Sequence, residues 1–269
     1  MNEKPSKKIS VTQAGLLILG LFVLAAFLRL CFLSQMAYHH DESLHAYYSY
    51  KLYDNTTDAS GRSAYKYDPV YHGPFLYHWG ALIFFLFGDS DFTGRLPFVL
   101  FGLLMLYLIL RLRPYIGTAG VIFTLAAMTV SPVLTYFSRF ARNDVYVATE
   151  SLAIVVFALD YFRTKRPIYL IWMLFFLGLL YCTKENSLMM GFILCSYVVL
   201  YGAYYIWFRP AGTRKHAIRT IVSDYAPFTK SLIIYGLFSF FAFFYSKIII
   251  SQIDWRSEER RVGKECATG

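Results

Sequence analysis

The sequence predicts an all-α protein, a bundle of apolar helices embedded in a bilayer. Three observations carry this. Hydrophobic residues make up 57% of the 269 and charged residues only 16%, with a mean hydropathy of +0.44, whereas soluble domains carry about a quarter charged residues. Apolar runs long enough to cross a ~30 Å hydrocarbon core recur from end to end. Basic residues fall in short clusters between those runs, as membrane topology requires.

The runs lie at residues 12–36, 96–112, 117–137, 145–162, 167–183, 187–208 and 228–250. The first is too long for a cleaved leader and lacks a small-residue cleavage site. Residues 74–87 are apolar over only 14 positions, the length of a re-entrant or interfacial helix. If they do not cross, the clusters Arg111/Arg113, Arg163/Lys165/Arg166 and Arg209/Arg214/Lys215/Arg219 all share the side of the basic N-terminus. The segment 37–95, with four Lys/Arg against seven Asp/Glu, then lies opposite. If they cross, every later basic cluster moves to the wrong side, against the positive-inside bias. The expected topology is therefore seven spans in the plasma membrane, with 37–95 exterior.

Segment 37–95 is the main polar feature. HHDESLHAYYSYKLY suits a helix along the membrane surface, with Leu44, Tyr47, Tyr48 and Leu52 near one face. Residues 54–68 read as a turn-rich loop. Cys31, Cys182 and Cys195 sit in apolar runs, where a thiol behaves as a small hydrophobe. The charge of +9 forms no continuous stripe, so nucleic acid is excluded as a partner. Residues Arg256–Cys266, RSEERRVGKEC, back-translate onto a common sequencing-adapter end. The domain expectation is thus a transmembrane unit over 1–255, truncated on its C-terminal side, with 256–269 a non-native tail.

Chemistry-bearing residues gather at one end of the spans. Asp41 and Glu42 follow the first span, among His39, His40, His45, His72 and His78. A partly desolvated carboxylate there suits proton abstraction from a hydroxyl; Asp41 as a helix cap is the plain alternative. The histidines have no fixed metal-ligand spacing, although Glu42 and His72 are candidates for a divalent metal ion. In SRFARND, Arg139 and Arg142 offer forked donors for phosphate, and Asp144 adds an acid. In TKEN, Lys184 either meets a phosphate or pairs with Glu185. Arg29, near the end of the first span, is expected to snorkel to the interface.

These motifs occur in one order: an Asp-Glu pair after the first span, YHGPFLYH, GDSDFTGRLP, an R-x-D turn and TKEN. Over about residues 12–208 the chain resembles the GT-C superfamily of membrane glycosyltransferases, which includes protein O-mannosyltransferases and lipid-A aminoarabinose transferases. The wording is closest to an archaeal and bacterial flippase-associated set. The resemblance implies a polyprenyl-phosphate-sugar donor, a lipid, glycan or protein acceptor and an exterior active site. It further implies Asp41 acting on the acceptor, Asp144 shaping the site, and Lys184 or Arg142 on the donor phosphate. The lipid-A enzymes carry Lys-Gly where this chain has Lys184-Glu185. The rival class is a flippase component or transporter, which would place its binding groups near the bilayer midplane.

Overall fold

The computed structural model describes residues 10–54, 73–184, 186–208 and 214–252; α-helix is the only regular structure among them. The helices are α1 (Val11–Leu30), α2 (His40–Asp54), α3 (Pro74–Phe87), α4 (Asp91–Arg111), α5 (Arg113–Val130), α6 (Pro132–Arg139), α7 (Asp144–Thr164), α8 (Ile168–Thr183), α9 (Asn186–Trp207) and α10 (Arg214–Gln252). The all-α expectation holds. The chain divides into two compact units, residues 1–190 and 191–269. The expected tail and most of the 54–68 loop lie outside the described residues.

In the first unit α4 is central. Two-thirds (67%) of its apolar window is buried, against 11% for α1, so α4 packs mainly on protein and α1 mainly on its surroundings. Side chains such as Val23, Phe85 and Phe123 stand outward, the last two more than 70% exposed. That is stable only against lipid, because water would charge about 25 cal/mol for each Å² of apolar surface left exposed. The helix starts follow capping chemistry. Ser10 accepts from the Gln13 N–H while the Gln13 side chain accepts from the Ser10 N–H, and Ser90 and Thr93 repeat the arrangement ahead of α4.

Among the described residues four helices are long and apolar enough to cross a bilayer (α1, α4, α7 and residues 187–204), and the bent α5–α6 pair makes a fifth if it counts as one span. The run 117–137 is not one straight helix. It bends by 62° between α5 and α6, because Pro132 has no N–H to continue the ladder and the Ser131 hydroxyl caps the new start at Leu134. Helix α1 also ends earlier than its apolar run, giving way at Cys31 to a turn with Phe32 in the left-handed region (φ 57°). Helix α8 has 16 residues, about 24 Å of helix.

Arg29 does not snorkel. It is fully buried, and its Nη1 and Nη2 donate to the carbonyls of Ala25 and Met128. The Met128 carbonyl lies in the last turn of α5, just before the break at Pro132, and so offers an internal acceptor that the sequence does not advertise. Helix α4 lies close to α6 at Gly102, where an added Cβ would run into the Ser138 hydroxyl.

The second unit pairs the rest of α9 with α10. Tyr201 packs on Tyr225 with ring centroids 5.7 Å apart, and Gly191 faces the Tyr235 ring. Inside α10 the Pro227 carbonyl accepts from the Ser231 hydroxyl.

Gly102→Val should destabilise the first unit by roughly 1–3 kcal/mol, the usual cost of overpacking. Thermal unfolding in detergent micelles measures it. Gly102→Val combined with Ser138→Gly should recover part of the loss; no recovery would show that the α4–α6 approach is not the constraint.

Candidate functional site

A buried acid holds the site together. Glu42, in the first turn of α2, is 3% exposed and makes four hydrogen bonds. Arg95 donates from Nε to Oε1 (3.0 Å) and from Nη2 to Oε2 (2.9 Å). The Ala141 N–H donates to Oε1 (3.0 Å) and the His39 N–H to Oε2 (3.1 Å). Arg95 spends its remaining donors on the carbonyls of Leu33, Met36 and Ala37, and its guanidinium lies over the Tyr38 ring. One ion pair therefore fixes the turn after α1, the start of α2, the start of α4 and the turn before α7. Burial pushes the Glu42 carboxyl up, but the Arg95 guanidinium and the two backbone N–H groups outweigh it and hold the group below its ordinary value.

This bears on the sequence expectation for Glu42. A carboxylate has about four acceptor positions, and all four are in use. Glu42 thus has no lone pair left for a base or a metal ligand, and its geometry is that of a positioning residue. Its expected metal partner, His72, lies outside the described residues. Among the described residues no three His, Cys, Asp or Glu side chains come together as a metal site.

Asp41, by contrast, is open. Its side chain is 41% exposed, with Oδ2 3.6 Å from Arg142 Nη1, while Arg142 Nε lies 3.3 Å from Asp144 Oδ2. Arg142 sits between the two acids, and all three side chains are 41–46% exposed. Ion pairs this long and this wet contribute at most about 1 kcal/mol, so an incoming anion can displace them. Arg139 is committed elsewhere: it donates to the carbonyls of Leu28, Cys31 and Phe32, closing the C-terminus of α1. Of the two arginines expected to meet phosphate, Arg142 is the available one.

Beside these residues lies a cavity of about 530 Å³. Phe32, Leu33 and Met36 form one wall and Pro132, Tyr136 and Phe140 the other, with His39, Glu42, Arg95 and Arg139 supplying its polar edge. The bend at Pro132 creates it by turning α6 away from the α5 axis.

Thr183, the last residue of α8, joins the remaining elements. Its carbonyl accepts from the Gly73 N–H (3.1 Å) and from Asn143 Nδ2 (3.4 Å), and its hydroxyl contacts Glu150 Oε1 (2.9 Å). Gly73 must be glycine here, since a Cβ would collide with the Cys182 carbonyl. The hub fixes the backbone of Lys184, whose N–H bonds to Leu180, to the turn that carries Arg142. Glu185 lies outside the described residues.

Three of the described histidines have local partners. His39 lies against Phe140 and His45 against Tyr77, and His78 Nδ1 bonds the Pro74 carbonyl. Toward the bundle α2 buries Glu42, His45 and Ser49, while Leu44, Tyr48 and Leu52 are half-buried and Tyr47 is exposed. The reason is Arg95, which draws Glu42 inward and sets the helix's rotation. Arg95 and Glu150 were not singled out from sequence. The signal was there: each is a lone charge in or at the end of an apolar run, and such a charge needs a buried partner.

Residues 71–215, more than half of the chain, match the family of dolichyl-phosphate-mannose-protein mannosyltransferases. The chain belongs to that family. It is a multi-pass membrane glycosyltransferase of the GT-C type, which separates it from the flippase and transporter class. No curated protein and no solved structure matches the chain. The matched region contains Arg95, Arg142, Asp144, Glu150, Thr183 and Lys184, and begins after Asp41 and Glu42.

Glu42→Gln should cost about 3–5 kcal/mol, because it leaves Arg95 buried without its counter-charge; Glu42→Leu with Arg95→Met should recover most of it. Since the folded carboxyl sits below its unfolded value of ~4.3, its stabilisation is complete above that value and is lost as pH falls through the folded one. Melting temperature measured against pH should show this acid step in the wild type and lack it in the double variant.

Proposed function

We propose that the chain transfers a sugar from a polyprenyl-phosphate-linked donor to an acceptor hydroxyl, at a site facing the exterior of the plasma membrane. The observation that carries this reading is Arg142, held loosely between Asp41 and Asp144 beside an apolar cavity. Asp41 takes the proton of the acceptor hydroxyl as its oxygen attacks the anomeric carbon. The bond from that carbon to the phosphate oxygen breaks, and the lipid phosphate leaves with the electron pair. Arg142 meets the charge that develops on it, with Lys184 on the same side. Donors aimed at such a developing charge can supply several kcal/mol of barrier lowering.

The exchange of partners is central. The donor phosphodiester offers two unesterified oxygens to the forked guanidinium and gains a second charge as the bond to the sugar breaks, so it draws Arg142 from Asp41 and frees that carboxylate to accept a proton. Asp144 keeps the other edge of Arg142 and sets its direction. The cavity between Phe32 and Tyr136 takes the first apolar units of the polyprenyl chain, and Arg139 at its edge holds the wall in place through α1. Domain organisation follows the same reading, with residues 1–255 as the transmembrane part and 37–95 as its exterior segment. The acceptor is a lipid, a glycan or a protein, since one hydroxyl is all the chemistry requires.

Asp41→Asn keeps size and polarity but cannot hold the proton. In the full-length protein it should lower transfer about 100- to 10,000-fold with donor binding intact. Arg142→Ala should instead weaken donor binding about 10-fold or more, the weight of one charge-assisted hydrogen bond. Radiolabelled sugar transfer from a polyprenyl-phosphate donor measures both, and wild-type turnover by Asp41→Asn would remove the base from this mechanism.

Orientation has its own test. On a cysteine-free background, Asp89→Cys should react with an impermeant maleimide in intact cells, whereas Lys165→Cys should react only after permeabilisation. The opposite pattern would invert the topology.

A further inference from the structure

The end of the first unit remote from Asp41 is made of two tight junctions, residues 111–114 between α4 and α5 and residues 164–167 between α7 and α8. They meet through Arg111, whose Nε and Nη2 donate to Asp160 Oδ2 at 2.9 and 2.7 Å. Its guanidinium also lies over the Phe157 and Tyr169 rings. Arg163 approaches the other Asp160 oxygen at 3.6 Å. That carboxylate is the sole acid from residue 107 to 118 and from 157 to 172, against Arg111, Arg113, Arg163, Lys165 and Arg166.

The surplus of positive charge is exposed. Arg113, Arg163, Lys165 and Arg166 all face outward, and Arg113 Nε donates only to the Thr118 hydroxyl (3.0 Å) among the bonds it makes to described residues. Helix α8 starts here with no side-chain cap on its first N–H groups, because Pro167 stands at the cap position, whereas the turn that opens α5 breaks at Gly117 (φ 70°). The uncapped start of α8 adds partial positive charge to the same face. Immediately along the helices, Ile116, Ile168, Ile171 and Trp172 are 43–61% exposed.

We infer that this face binds the headgroup of an anionic phospholipid, with the cations and the start of α8 on its phosphodiester and Ile116, Ile168 and Trp172 along its acyl chains. A free phosphate would satisfy the charges but leave the flanking apolar side chains uncovered. An anionic lipid covers both with one molecule. The inference uses none of the residues assigned to transfer and stands whether or not that mechanism is right.

The test uses the full chain in nanodiscs of phosphatidylcholine with a minor fraction of phosphatidylglycerol, with co-retained lipid read by native mass spectrometry after release into detergent. Wild-type protein should retain phosphatidylglycerol in preference, and Arg113→Gln, Lys165→Gln and Arg166→Gln should each lower that preference by about fivefold. Lys51→Gln, remote from this end, should leave it unchanged, and excess inorganic phosphate should not displace the lipid. The single substitutions lie on exposed positions, and an unchanged melting temperature in pure phosphatidylcholine confirms that each variant is folded. Equal retention by wild type and variants would overturn the proposal. Displacement by inorganic phosphate would overturn it in favour of a soluble anion.

Discussion

The end of the first unit that carries Asp41 and Arg142 depends on the buried pair of Glu42 and Arg95. A carboxylate and a guanidinium removed from water lose several kcal/mol of hydration each, and they persist only where every remaining donor and acceptor is used. Here the arginine takes three carbonyls and the carboxylate takes two backbone N–H groups. Those five extra bonds come from the turn after α1 and from the turn before α7. The pair therefore works less as a source of stability than as a register mark: only one arrangement of these segments satisfies it.

Two other cations also bind to the backbone, although buried Arg29 leaves its Nε without a partner among the described residues. Arg139 and Arg29 bond backbone carbonyls where helices end or bend, replacing partners that a membrane cannot provide. Each consequently binds structure together and is withdrawn from substrate chemistry. Arg142 is the exception. Its partners are carboxylates that are long in distance and open to solvent, which is the condition for exchanging them for a ligand. The division between committed and exchangeable arginines is what turns a general basic motif into a specific site.

Transfer chemistry at a membrane surface needs a polar site and an apolar groove side by side, since a lipid-linked donor has both natures. The bend at Pro132 supplies the groove and the turn at 140–144 supplies the polar groups, separated by one short helix. A carrier would need its binding groups at mid-depth with routes to both sides. The ionisable group deep in this bundle, Glu150, is fully buried and tied to Thr183, where it braces the turns that carry Arg142 and Lys184.

Much of this was legible in the residues. Apolar run length and the placement of Lys and Arg are properties of the chain's composition along its length, so the helical class and the clustering of Asp41, Arg142, Asp144 and Lys184 at one end could be read directly. The short helix at 74–87 was legible for the same reason. Roles within the cluster were not, because they depend on which donors reach which acceptors across distant segments. Glu42 reads as an equal of Asp41, its neighbour, until Arg95, 53 residues away, occupies it. Arg139 and Arg142 are equally suited to phosphate by type, and Leu28, Cys31 and Phe32 claim only the first. Adjacent residues on a helix point in different directions, separated by roughly 100° of rotation, and which of them is buried is set by partners from distant segments, as Arg95 does for Glu42.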